Sequence, residues 1–338
     1  MSVTMKQIAE LAGVSRATVD KVLNGRPGVK PATKEKILQI TKALHYEPNI
    51  LGKALVSTEP IKIGIILTPA YNPFIGEMLA GIEQAEKEFS VFNLQILTRT
   101  LTTLEPEEQA DVLRDLQKEH IAGLAVFPLD DSRVKDLAKA FAADGTAVIT
   151  FNSRAEDLES LCFIGQDHKK GGAVAAGLFE KMLPDGGEIG VIISSRALSC
   201  HKDRLSGFES RLQKTGAFRI LEVEENEDQP NRALAITEAY LKRYPALSGI
   251  YLTGGGIAGC AEALAAANPT KRIACICHDV TPEAQSLLRT GVLDFIIDQS
   301  PKLQGYQIVK TLFEILIKRQ TPPPWIEIPV GIVTAESL

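Results

Sequence analysis

Gly254-Gly255-Gly256-Ile257-Ala258-Gly259 satisfies G-x-G-x-x-G, and Asp279 lies 20 residues past Gly259. The run follows the strand-like stretch Gly249–Thr253 and opens a helical segment. In that context glycines let a pyrophosphate reach a helix N-terminus, and a following acid holds a ribose. One reading is therefore an NAD(P)-dependent oxidoreductase. The rest of the chemistry for hydride transfer is missing, because no Tyr/Lys or His/Asp pair stands out. The five histidines (His45, His120, His168, His201 and His278) are scattered, and only His201 and His278 are placed to line a cleft. No Walker loop and no Gly-x-Ser-x-Gly elbow occurs. The five cysteines, Cys162, Cys200, Cys260, Cys275 and Cys277, lie in or beside apolar runs and read as small buried hydrophobes in a reducing compartment. Cys275 and Cys277 alternate on one run with no second Cys/His pair at ligand spacing, so no metal site is expected. No cofactor and no enzymatic activity are expected.

The elements that must position any site follow from length and pattern. A chain of 338 residues makes about two domains. Composition is ordinary for a globular protein, 45% hydrophobic and 23% charged, and 26 Gly with 18 Pro are too few for a disordered or collagen-like chain. No apolar run approaches the ~18 residues of a membrane span, and no apolar N-terminal stretch could serve as a secretion signal. A cytoplasmic protein with no membrane partner is expected. Charge divides unevenly. Residues 1–60 hold nine Lys/Arg against five Asp/Glu, and the remainder holds 28 against 37. A basic head on an acidic body suggests a local polyanion contact.

In the head, Thr4-Met5-Lys6-Gln7 is a capping box opening a helix with Ile8, Leu11 and Ala12 on its inner face. Gly13 ends it and Ser15 caps a second helix. On that helix Val19, Val22 and Leu23 face inward, while Arg16, Ala17, Asp20 and Lys21 face out. Asn24-Gly25 stops it, and a third helix follows Pro31 with Ile37, Ile40 and Leu44 on one face. This is the helix-turn-helix layout.

The run Ile8 to Ser15, then Thr18-Val19, Val22-Leu23-Asn24, Tyr46-Glu47-Pro48-Asn49 and Leu55 closely resembles the DNA-binding domain of the lactose-repressor (LacI/GalR) family. The resemblance implies that the second helix enters the major groove of a double-stranded DNA operator. Arg16, Ala17 and Lys21 would then read bases, and Ser15, Thr18 and Asn24 would contact the backbone. It also implies a hinge that folds when two copies meet on DNA, with Lys53, Ala54 and Leu55 in the minor groove and Leu55 as the kinking wedge. Three positions depart from the family pattern. Asp20 puts an acid on the DNA-facing helix, unless it pairs with Arg16 or accepts from a cytosine amino group. Lys30 replaces a hydroxyl cap, so Pro31 must help start the third helix. Gly52 lowers the hinge's helix propensity by about 1 kcal/mol.

From residue 61 onward ten strand-like runs, Ile61–Thr68 to Phe295–Asp298, alternate with amphipathic helices such as Phe74–Phe89 and Gln304–Ile317. That alternation predicts doubly wound parallel sheets, and the strand number predicts two lobes with a cleft. The body resembles periplasmic sugar-binding proteins of the ribose-binding type. The likeness rests on Asn72-Pro73-Phe74, Val148-Ile149-Thr150 before Asn152, Arg204 with Ser206-Gly207-Phe208, Asp279 with Thr281-Pro282, and Gln299 with Pro301. It implies a fold of helix-turn-helix head and hinge helix followed by an α/β periplasmic-binding-protein-like core. The boundaries would be 1–48, 49–60 and 61–338, with lobe 1 about 61–165 and 300–327 and lobe 2 about 166–299 and 328–338. The implied effector site is Asn72, Phe74, Asn152, Arg204, Asp279 and Gln299. Phe74 offers a sugar ring an apolar face, the amides donate and accept, Asp279 takes hydroxyl protons and Arg204 presents a fork of donors. Phe127, Ser153 and the Thr253-Gly254-Gly255-Gly256 run depart from the relatives. The last removes two sugar-binding side chains and could expose a nest of N–H groups for an anion. The expected function is a ligand-responsive transcription regulator, a repressor of sugar or polyol genes. It would bind a palindromic operator as a homodimer and respond to a sugar, polyol, sugar acid or sugar phosphate.

Overall fold

The computed structural model describes residues 3–23, 26–44, 46, 59–70, 72–155, 157–267 and 271–338. The chain divides into two compact units, Met1–Val56 and Ser57–Leu338. In the first, α1 (Met5–Ala12) opens on the expected capping box. Thr4 Oγ1 accepts from the Gln7 N–H, and Gln7 Oε1 accepts from the Thr4 N–H at 2.8 Å. Gly13, at φ 70°, ends it in the left-handed conformation. Ser15 Oγ then accepts from the Thr18 N–H at 3.2 Å at the start of α2 (Arg16–Leu23). α3 (Pro31–Ala43) has no side-chain cap from Lys30 and begins on Pro31. Ile8, Val19 and Ile37 are fully buried where the three helices meet. The inner face of α1 differs from expectation. Ala9 is buried beside Ile8 and Ala12, while Leu11 is 59% exposed. At 100° per residue, positions 8, 12 and 9 span a narrow arc, and position 11 falls outside it on the other flank.

The second unit holds two six-stranded sheets. The first runs β2 (Leu94–Thr100), β1 (Ile61–Leu67), β3 (Gly123–Val126), β4 (Ala147–Phe151), β5 (Phe163–Gly165) and β11 (Trp325–Glu327), all parallel. The second runs β7 (Phe218–Glu225), β6 (Gly187–Ile193), β8 (Leu247–Leu252), β9 (Ala274–His278), β10 (Phe295–Asp298) and β12 (Gly331–Val333). β12 lies antiparallel to β10 at the edge, the one departure from parallel pairing among the described strands. β11 and β12 are three residues each, too short to show a period in sequence. Ile65 and Ile149 pack into the core on one face of the first sheet, while Ile66, Leu124 and Val148 pack on the other. Both faces are covered by helices, so central strands such as β3, β4 and β8 are buried throughout.

The helices that matter for the site are α4 (Pro73–Phe89) on the first sheet, and α7 (His168–Met182), α8 (Ser199–Leu212), α9 (Pro230–Arg243) and α10 (Ile257–Ala267) on the second. α7 and α8 approach until backbones touch. A Cβ on Gly172 would lie 1.9 Å from the Arg204 carbonyl oxygen, and one on Gly207 would lie 1.9 Å from that of Lys169. The chain leaves the first sheet after β5, returns through α12 (Pro301–Leu316), and crosses again between β11 and β12.

Candidate functional site

On the N-terminal unit, Arg16, Ala17 and Lys21 are exposed on α2, as is Ser15 at its start. The Ser15 and Thr18 hydroxyls hydrogen-bond to each other at 2.9 Å, which fixes both beside the helix N-terminus. Asp20 meets Arg26 at 3.5 Å, whereas the sequence offered Arg16 as its partner. Arg26 is well exposed and Asp20 about a third exposed, so this pair is worth at most about 1 kcal/mol, yet it offsets the acid's charge on this face. Asn24 and the hinge positions Lys53, Ala54 and Leu55, with Gly52, lie outside the described residues.

In the second unit, Asn72, Phe74, Asn152, Arg204, Asp279 and Gln299 line one small space of about 20 Å³ between the carboxyl ends of the two sheets. That is room for about one water, so a sugar-sized ligand requires the lobes to part. Asn72 is the N-cap of α4. Its Oδ1 accepts from the Phe74 N–H at 3.0 Å, and its Nδ2 donates to Asp228 Oδ2 at 2.8 Å across the cleft. Phe74 is buried in the first lobe's core, with Phe127 in the same cluster, and both residues line the space. Asn152 sits at φ 54° after β4, and its Oδ1 is buried with no partner among the described residues.

Arg204 is 2% exposed. It donates to the Thr253 carbonyl at 2.6 Å, to Gln299 Oε1, and to His168 Nδ1 at 3.3 Å. The tautomer of His168 follows from its other nitrogen. Nε2 faces the Asn152 carbonyl and must carry the proton, which leaves Nδ1 as Arg204's acceptor. His201 bonds Thr253 Oγ1 at 2.8 Å, and His278 bonds the Tyr251 hydroxyl at 2.8 Å. Burial first, and the Arg204 charge second, drive all three imidazoles toward the neutral form, His168 down to about 3. The histidines that look scattered in sequence thus converge around one guanidinium. His120 stands apart and is exposed, and His45 lies outside the described residues.

Asp279 follows β9 at φ 74°, and its Oδ1 accepts from Gln299 Nε2 at 2.6 Å. Burial pushes its carboxyl up to about 7 against the opposing pull of Arg204. Asp228, in the loop between β7 and α9, escaped the sequence reading. It lies in the acid-rich run Glu224-Glu225-Asn226-Glu227-Asp228, where nothing local separates it from solvated neighbours. The rule that ligand-facing loops follow strand carboxyl ends was the available signal. The residue is partly exposed but its carboxylate is enclosed, and burial raises its pKa.

The Gly254–Gly256 run is not an open nest. The Gly255 N–H donates to Asp228 Oδ1 at 2.7 Å, so the protein's own carboxylate takes the place an anion would use. Nor are the three motif glycines free for a pyrophosphate. A Cβ on Gly254 would lie 2.6 Å from Asp228 Oδ1, one on Gly256 would lie 2.3 Å from Asn226 Nδ2, and one on Gly259 would lie 1.8 Å from the Pro230 carbonyl oxygen where α9 meets α10. Packing alone accounts for all three. Ser153 meets Ser199 from the opposite lobe, hydroxyl to hydroxyl at 2.8 Å, and the Ser199 hydroxyl also accepts from the Arg154 N–H at 2.9 Å. Among the described residues no group of three or more His, Cys, Asp or Glu could hold a metal ion, and no helix is long and apolar enough to cross a membrane.

Known proteins share both halves of this organisation. Residues 63–320 match the periplasmic binding protein domain, and residues 4–49 match the bacterial regulatory proteins of the lacI family. The ribose operon repressor of Haemophilus influenzae is 30% identical over 213 residues, which is 62% of this chain and 60% of that repressor. The chain thus spans less than two thirds of that relative's length. Catabolite control protein A of Priestia megaterium is 41% identical over 83 residues, 25% of each chain. The crystal structure of a glucose-galactose binding protein from Geobacillus stearothermophilus superposes with a TM-score of 0.77 at 18% identity, covering 83% of this chain and 99% of that one, which shows a shared fold. The chain belongs to the periplasmic binding protein domain family over most of its length, and its N-terminal helices belong to the lacI family of bacterial regulatory proteins.

Proposed function

We propose that this protein is a sequence-specific DNA-binding transcription regulator, acting as a repressor, whose operator affinity is set by a small polyhydroxylated ligand held in the cleft. One observation carries the reading. Six hydrogen-bonding and aromatic residues from both lobes line one small space between the two sheets. The same chain exposes Arg16, Ala17 and Lys21 on the second helix of a helix-turn-helix. Arg and Lys donate to guanine O6 and N7, and the Ser15 and Thr18 hydroxyls suit phosphate oxygens. A ligand bridging the two sheets changes the angle between lobes, because the chain crosses between them three times and its bonds must span both. We assign lobe 1 to about 61–165 with 300–327 and lobe 2 to about 166–299 with 328–338. A cytoplasmic homodimer reading a near-palindrome fits two recognition helices related by a two-fold axis. Asn24 would add a backbone contact, and Lys53, Ala54 and Leu55 would enter the minor groove. The oxidoreductase reading is not favoured, since its glycines are engaged in packing.

A thermal-shift screen of sugars, polyols, sugar acids and sugar phosphates, followed by operator gel shifts, tests the proposal. A ligand at a hundred times its Kd raises stability by about 2.7 kcal/mol. Saturable micromolar binding of NAD or NADP, or the absence of any operator sequence preference, would overturn it.

A further inference from the structure

The ionisable groups that face the cleft are unevenly matched, and with both carboxyls ionised the acids are in excess. Two carboxyl groups, Asp228 and Asp279, and one guanidinium, Arg204, line the space. The three imidazoles around Arg204 are held neutral by burial, so they add nothing. Arg204 donates to the Thr253 carbonyl, Gln299 Oε1 and His168 Nδ1, its Nε is buried with no partner among the described residues, and it forms no salt bridge with either acid. Each carboxylate instead accepts from neutral groups. Asp228 takes the Gly255 N–H and the Asn72 amide, and Asp279 takes the Gln299 amide. A carboxylate offers about four lone-pair sites, so both retain acceptor capacity toward the cleft.

An anionic ligand would meet two acids and would find the start of α10 already held by Asp228. A cation would neutralise that excess, and the aromatic residues Phe74 and Phe127 line the same space.

We infer that the ligand of this cleft is cationic, an amine-bearing polyhydroxyl compound of the amino-sugar class, and that Asp228 is the residue that selects the ammonium group. This rests on the ligand-sensing reading above. Burial raises both carboxyls toward the neutral form, and a bound ammonium reverses that pressure by pairing with the ionised form.

The test is titration calorimetry on the full chain near neutral pH. The probes are 2-amino- and 6-amino-hexoses of gluco, galacto and manno configuration, each beside its parent hexose and the hexose 6-phosphate. At least one amine is expected to bind about tenfold or more tighter than its parent. D228N removes the charge and is expected to erase that preference, read as the ratio of the amine's affinity to its parent's, whatever the change in each. A parent or phosphate binding as well as its amine, or no amine binding at all, would overturn the inference. Binding of a neutral sugar would leave the ligand-sensing reading standing. The wild-type comparison needs no variant, so it decides even if D228N fails to fold.

Discussion

Asp279 occupies a left-handed backbone position, φ 74°, that Asp and Asn tolerate better than other side chains with a Cβ. Its carboxylate is the acceptor for Gln299 and faces the cleft. Asp279→Ala leaves ligand hydroxyls without an acceptor, at about 1–3 kcal/mol for each lost bond. Calorimetry should show effector affinity falling by about a hundredfold, while gel shifts without effector stay unchanged because the recognition helix lies in the other unit. Asp279→Asn keeps the backbone preference and isolates the charge. On α2, Lys21→Ala should lower specific operator affinity by about 1–3 kcal/mol and relax one base position. Equal weakening on all sequences would make Lys21 a phosphate contact instead.

At the scale of elements, α7 and α8 set the site because they place His168 and Arg204 side by side. Their contact depends on Gly172, where a Cβ would lie 1.9 Å from backbone oxygen. Gly172→Ala must push the helices apart, so overpacking should cost about 1–3 kcal/mol of stability. It should also weaken effector binding, since Arg204 moves with α8. A melting curve and a titration on the same sample separate the two effects, and an unchanged titration would show that Arg204's position is set from elsewhere. Sequence resolves elements better than their inward faces. The capping box, Gly13 and Ser15 mark α1 and α2 because each acts within a few residues. Leu11 reads as inward because it is apolar, but the helix arc that neighbours cover admits Ala9.

For the whole molecule, pH acts through the cleft. Burial raises the Asp279 carboxyl from its ordinary value to about 7. A ligand that uses the ionised form must first have the proton removed when pH lies below that value. Effector affinity should therefore fall as pH drops through about 7, approaching tenfold per unit for one coupled proton. Fold stability in the free protein carries the opposite sign for this group. Its neutral form is favoured in the folded state, so its contribution is present at low pH and is lost as pH rises from about 4 toward 7. The buried His168, lowered to about 3, works the other way and loses its contribution as pH falls below about 6.5. Titrations between pH 6 and 8, with a melting curve at each pH, distinguish the ligand effect from the fold effect. A flat affinity profile would mean that Asp279 binds ligand without ionising.

Local spacing was enough to read three head helices and the alternation of strands and helices, because hydrogen bonds within four residues and hydrophobic periods generate those patterns directly, whereas the six cleft residues were implied by the family resemblance. The membership of the cleft lies beyond that range. Arg204 meets His168 across 36 positions and Gln299 across 95, and Asn72 meets Asp228 across 156. No period or cap relates such residues. Their meeting depends on strand order, on how closely glycine-faced helices pack, and on which buried polar groups find partners, so an acid in a charged loop and three distant histidines become neighbours only once the sheets have assembled.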